Sequence, residues 1–95
     1  MHIVLADDDE DDRSFFQDAI GELKMNNTLT MFKDGKELID YLEAPDTVLP
    51  HIIFLDLNMP CKTGFDCLKE IRENPKFKDV SIAIYSTSSS EKDIE

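Results

Sequence analysis

Three aspartates and two hydroxyl residues stand where short apolar runs end. Ile3-Val4-Leu5-Ala6 gives way to Asp7 and Asp8, Ile52-Ile53-Phe54-Leu55 to Asp56, and the stretch from Val80 to Tyr85 to Ser86 and Thr87. Carboxylates that converge raise one another's pKa values unless a cation sits among them. Carboxylates, backbone carbonyls and water are the ligands Mg²⁺ accepts, and it leaves room for phosphate oxygens. A carboxylate beside such an ion can attack phosphorus and become an aspartyl phosphate. A hydroxyl at the end of the next strand can then hydrogen-bond a phosphoryl oxygen. Each piece has a plain reading by itself: an acidic run is a solvated face, an Asp ending a strand is a turn residue, and Ser86 and Thr87 are cap residues. Their conjunction carries the chemical reading.

The elements that must position these groups follow from periodicity. Ile3 to Ala6 and Ile52 to Leu55 are apolar on both faces, as buried parallel strands are. An unbroken acidic run, Asp7 to Asp12, follows the first strand. From Ser14 the spacing of Phe15, Phe16, Ala19, Ile20 and Leu23 predicts a helix, broken by Asn26-Asn27. Thr28 to Phe32 is β-prone, and Asp34-Gly35 is turn chemistry. Leu38, Ile39 and Leu42 predict a short second helix, with Pro45 and Pro50 bounding the loop after it. Phe65, Leu68 and Ile71 predict a third helix that stops before Asn74-Pro75. Val80 to Tyr85 reads as a fourth strand, and Ser90 with Asp93 as the cap of a further helix. Strands alternating with helices predict a doubly wound parallel sheet covered on both faces. Ligands of such sheets bind outside the carboxyl ends of the strands, where the winding reverses. The acids stand there if the first and third strands are neighbours.

Composition narrows the functional classes. The 95-residue chain has room for one domain. It carries 10 Lys and Arg against 21 Asp and Glu, a formal net charge of −11, which argues against nucleic-acid binding. No apolar run approaches the roughly 20 residues of a membrane span. The amino terminus lacks the basic and apolar regions of a signal peptide, so a cytoplasmic location is expected. Cys61 and Cys67 do not have redox or zinc spacing and read as free thiols, one a core filler and one a loop residue. His2 and His51 have no cysteine beside them and no ligand role.

The sequence resembles the receiver domain of two-component response regulators, most of all the small single-domain, CheY-like members. The acidic pair is Leu5-Ala6-Asp7-Asp8. The phosphoacceptor strand and loop read Ile52-Ile53-Phe54-Leu55-Asp56-Leu57-Asn58-Met59-Pro60, followed by Gly64. Ser86 stands 30 positions past Asp56, where the family keeps its switch hydroxyl. The resemblance implies a flavodoxin-like sheet of order 2-1-3-4-5, of which this chain has 2-1-3-4. It implies that Asp56 takes a phosphoryl group from a sensor histidine kinase or phosphotransfer protein, with no separate substrate turnover. Asp8, Asp56 and the backbone carbonyl of Asn58 are then Mg²⁺ ligands, and Asp7 acts through water. Ser86 is the switch residue, and Thr87 offers its backbone N–H to a phosphoryl oxygen. The family continues through a fourth helix, a fifth strand bearing a lysine, and a fifth helix. Residues 1–95 are therefore expected to be a receiver domain incomplete at its C-terminus.

Other readings share some of these residues. A dehalogenase-type phosphatase needs D-x-D at the third strand, and here Asn58 replaces the second acid. A calcium loop would use Asp7, Asp9 and Asp11, but Asp12 stands where glycine is needed and Asp18 where glutamate is needed. A degenerate receiver would act only as a docking module. A fourth strand left as an open edge predicts self-association, through that edge or by exchange of the C-terminal segment.

Overall fold

The structure is a computed structural model and describes residues 1–23, 26–57, 59 and 62–85. Among the described residues four strands and three helices alternate: β1 (His2–Ala6), α1 (Glu10–Gly21), β2 (Thr28–Phe32), α2 (Gly35–Glu43), β3 (Ile52–Asp56), α3 (Gly64–Glu73) and β4 (Ser81–Tyr85), with a 3-10 turn at Pro75–Phe77 before β4. All strand pairs are parallel, in the order β2-β1-β3-β4. The doubly wound sheet of order 2-1-3-4 predicted from the sequence is the one observed. From β1 the chain winds outward to β2 and then returns past β1 to β3 and β4. The winding reverses at β1 and β3, which are direct neighbours, with Leu5 opposite Phe54 and Ala6 opposite Leu55.

Alternation along the strands divides the core between two faces. Val4 and Ala6 of β1 and Ile53 and Leu55 of β3 point to the face covered by α2 and α3. There they meet Leu38, Ile39 and Leu42 of α2, and Cys67 and Ile71 of α3. Helix α2 is capped by Asp34, which accepts the Glu37 N–H at 2.8 Å. Helix α3 opens with a reciprocal capping box between Thr63 and Asp66. The two helices touch closely. A Cβ on Gly35 would lie 2.6 Å from Cys67 Sγ, which leaves room only for hydrogen. Cys67 is a buried free thiol, and burial first, then Glu70, pushes its pKa up to about 11. Cys61 lies outside the described residues.

Three local expectations are corrected. Helix α1 starts at Glu10, not at Ser14, because Asp9 caps it and the acids after Asp9 form its first turn. No residue of α1 is buried; Phe15 is 76% exposed, and Leu23 lies beyond the helix. In α3 the buried stripe is Gly64, Cys67 and Ile71, while Phe65 faces solvent. Arg72 fastens the end of α3 to the approach of β4, donating to the carbonyls of Phe77 and Val80. The histidines have structural partners: the His2 N–H donates to His51 Nδ1, and the His2 ring bonds Thr30. The further helix expected around Ser90 and Asp93 lies outside the described residues.

Candidate functional site

The site is built from the carboxyl ends of β1 and β3. The ladder carries each strand one residue past its end. Asp7 N–H donates to the Phe32 carbonyl, and Leu57 N–H to the Tyr85 carbonyl, both at 3.0 Å. Asp7 and Asp56 are thereby fixed at adjacent strand ends, and both are fully buried. Asp8 follows on the exposed rim. Carboxylate oxygens of Asp7, Asp8 and Asp56 lie within 4.8 Å of one another. Two buried like charges side by side are costly without a compensating cation. Three oxygen donors of this kind, one of them open to solvent, suit a hard divalent ion.

After β3 the chain is back against the strand's end at Gly64. Gly64 N–H donates to the Leu57 carbonyl at 3.4 Å, and a Cβ on Gly64 would lie 2.7 Å from the Asp56 carbonyl oxygen. Glycine here lets α3 start close against the end of β3.

The acidic run is divided by role. Asp9 leaves the cluster to cap α1, accepting N–H groups of Asp11 at 2.8 Å and Asp12 at 3.3 Å. The alternation Asp7, Asp9, Asp11 is thus dispersed, and the calcium-loop reading has no geometry behind it. Asp12 turns back toward the site. One of its oxygens is shut off from solvent without a hydrogen-bond partner among the described residues. Burial first, then the charges of Asp7, Asp9, Asp11 and Asp8, hold its carboxyl above the ordinary 3.8.

Sequence reasoning missed two contacts to Asp7. Arg13 Nη1 donates to the Asp7 carbonyl at 2.7 Å and closes the turn between β1 and α1. The Tyr85 hydroxyl donates to Asp7 Oδ2 at 2.5 Å. Burial, then the hydrogen bond to Asp7, raise the Tyr85 pKa, so the phenol stays a protonated donor. Arg13 stands six positions past Asp7 and Tyr85 at a strand's carboxyl end, and neither position by itself signals a contact with Asp7. A groove of about 350 Å³ runs from Asp7 and Asp12 past Tyr85 and over Phe16, Phe54 and Ala83. A larger hollow of about 570 Å³, by His2, Tyr41 and Val48, lies at the amino ends of the strands, away from the acids. Asn58, Ser86 and Thr87, assigned from the sequence to the cation and the phosphoryl group, lie outside the described residues.

An open parallel sheet with an acidic cluster at its winding reversal, the third strand ending in a buried aspartate, defines a class: a CheY-like receiver fold. The comparisons agree. The profile of the response regulator receiver domain matches residues 3–95, and the chain belongs to that family, the signalling module of two-component systems. The response regulator Rcp1 of Synechocystis sp. is 30% identical over 96 residues, which cover 97% of this chain and 65% of that protein. This chain therefore spans a little under two-thirds of that relative's length. The Mn²⁺-bound form of Rcp1 superposes with a TM-score of 0.85 at 30% identity, covering 98% of this chain and 70% of that one. The phosphorylated cyanobacterial phytochrome response regulator RcpA superposes with a TM-score of 0.84 at 33% identity, covering 98% and 69%.

Proposed function

We propose that this receiver accepts a phosphoryl group on Asp56 from a phosphohistidine of a sensor histidine kinase or phosphotransfer protein. The observation that carries the reading is the gathering of Asp7, Asp8 and Asp56 within 4.8 Å at the carboxyl ends of β1 and β3. An Asp56 oxygen attacks phosphorus, the O–P bond forms, and the N–P bond to the donor imidazole breaks. The product is an acyl phosphate, and no separate substrate is turned over. Asp8, Asp56 and the Asn58 carbonyl are the proposed ligands of Mg²⁺, with Asp7 acting through water. Bound there, the ion offsets repulsion between the carboxylate and the incoming phosphoryl oxygens. The Mn²⁺ held by Rcp1 and the phosphorylated state of RcpA support both parts of the reading.

Ser86 is the proposed switch hydroxyl, and Thr87 the proposed backbone donor to a phosphoryl oxygen. The partners fit a cytoplasmic location, where a reducing environment keeps Cys67 a thiol. Self-association through the β4 edge or by exchange of the C-terminal segment belongs to the same proposal. The bond's chemistry is the test. Phosphate introduced by a small-molecule donor with Mg²⁺ should be released by hydroxylamine and by alkali, as an acyl phosphate is. A phosphate stable to both refutes phosphoryl transfer to a carboxylate.

A further inference from the structure

We infer that Tyr85 is a positioning residue of the cation site, its hydroxyl holding Asp7 in place and competing with a bound divalent cation for that carboxylate's charge. The inference rests on the proposed reading of Asp7, Asp8 and Asp56 as a cation site. Asp7 is fully buried, so donors of the protein itself must compensate its charge. Two are in place. Asp9 N–H reaches Oδ1 at 2.9 Å, and the Tyr85 O–H reaches Oδ2 at 2.5 Å. The first comes from the same turn. The second comes from a residue 78 positions away, on a strand separated from β1 by β3. Tyr85 pairs in register with Asp56, so its hydroxyl reaches past the end of β3 to Asp7.

A hydrogen bond to a charged acceptor is short and about twice as strong as a neutral one. The hydroxyl proton and a cation approach the same carboxylate with the same sign of charge. What one compensates, the other gains less by compensating. Tyr85→Phe keeps a ring in the groove that Tyr85 lines with Phe54 and Ala83, and deletes only the donor. Asp7 Oδ2 is then a buried carboxylate oxygen short of a donor, which destabilises the cation-free fold. A cation relieves that deficit. The variant should therefore melt lower than wild type without cation and yet bind cation more tightly, by about three- to tenfold. A hydroxyl that only anchors Asp7 gives the first effect without the second, and a tyrosine with only a packing role gives neither.

The experiment is a Mg²⁺ titration of the full chain followed by amide NMR shifts, with thermal melts at zero and saturating Mg²⁺. It compares wild type, Tyr85→Phe and Asp8→Ala. Saturable binding in wild type that weakens in Asp8→Ala and tightens in Tyr85→Phe supports the inference. Equal or weaker binding in Tyr85→Phe, with wild type binding and Asp8→Ala impaired, overturns it and leaves the cation site standing. No binding by wild type, or undiminished binding by Asp8→Ala, overturns the site and the role of Tyr85 with it. Tyr41→Phe supplies a second readout if Tyr85→Phe does not fold. The chain has two tyrosines and no tryptophan, so emission from this variant reports Tyr85 alone. Mg²⁺ should change that emission saturably over the binding range. Flat emission across that range overturns the inference.

Discussion

Asp7, Asp8 and Asp12 show how neighbours in sequence acquire different physical roles. Asp8 stays on the solvent-exposed rim, Asp7 is buried and held by two donors, and Asp12 is crowded by the others. An acid whose pKa is raised on folding binds its proton more tightly in the native state. Its charged form then disfavours the fold, and this effect grows as pH rises from the ordinary 3.8 through the raised value. Asp12→Asn should therefore melt at a higher temperature than wild type at pH 7 without cation. The gain should shrink as pH falls, and vanish below pH 3.8, where Asp12 is protonated folded or unfolded. Equal melting temperatures at pH 7 would show that Asp12 is solvated well enough to cost nothing. The contact of Tyr85 with Asp7 belongs to this scale too. No sequence pattern reveals it, because a contact over 78 positions depends on strand order and on where one ring lies.

At the scale of elements, the strands were legible and one helix start was not. Ile52 to Leu55 and Ile3 to Ala6 announce themselves as two-sided apolar runs. Asp56 ends β3 in the sequence reading and in the structure alike. Helix α1 hid its start because its first turn is acidic, a composition that serves both the site and the helix's positive end. Its apolar face also misled, since Phe15 and Phe16 imply burial and Phe15 is largely exposed. Phe16 does reach the sheet, meeting Phe54 edge-on at 4.9 Å. Gly64 was visible only as part of a motif, and its physical reason needed the fold. Gly64→Ala places a methyl 2.7 Å from the Asp56 carbonyl oxygen and 3.1 Å from Leu57 Cα, both backbone atoms. The end of β3 or the start of α3 must shift. Urea unfolding should show a loss of about 1–3 kcal/mol, the usual cost of overpacking. Wild-type stability in this variant would mean that the loop relaxes freely.

At the scale of the molecule, charge and exposed apolar surface oppose each other. A net charge of −11 on 95 residues favours separate chains. Among the described residues β4 has one strand partner, β3, and so presents a row of backbone groups at the sheet's edge. Beside that edge lies the groove over Phe54 and Ala83, next to the exposed Phe15. Charge repulsion is screened beyond about 8 Å at physiological salt, whereas edge pairing and apolar burial act at contact. Association is the expected result at micromolar concentration, stronger at higher salt. Sedimentation velocity decides it, and a single monomer boundary at every salt concentration would contradict the expectation.

All of these scales converge on the buried aspartate that ends β3. Its neighbours Asp7 and Asp8, the return at Gly64 and the reversal of winding are the surroundings on which its proposed role as phosphoacceptor rests. The most direct test is intact mass after incubation with acetyl phosphate, with and without Mg²⁺, for wild type and Asp56→Asn. Wild type should gain one phosphoryl group only with Mg²⁺ present, and Asp56→Asn, which keeps the shape but removes the nucleophile, should gain none. The same gain in Asp56→Asn, or no gain in wild type with Mg²⁺ present, would contradict that role.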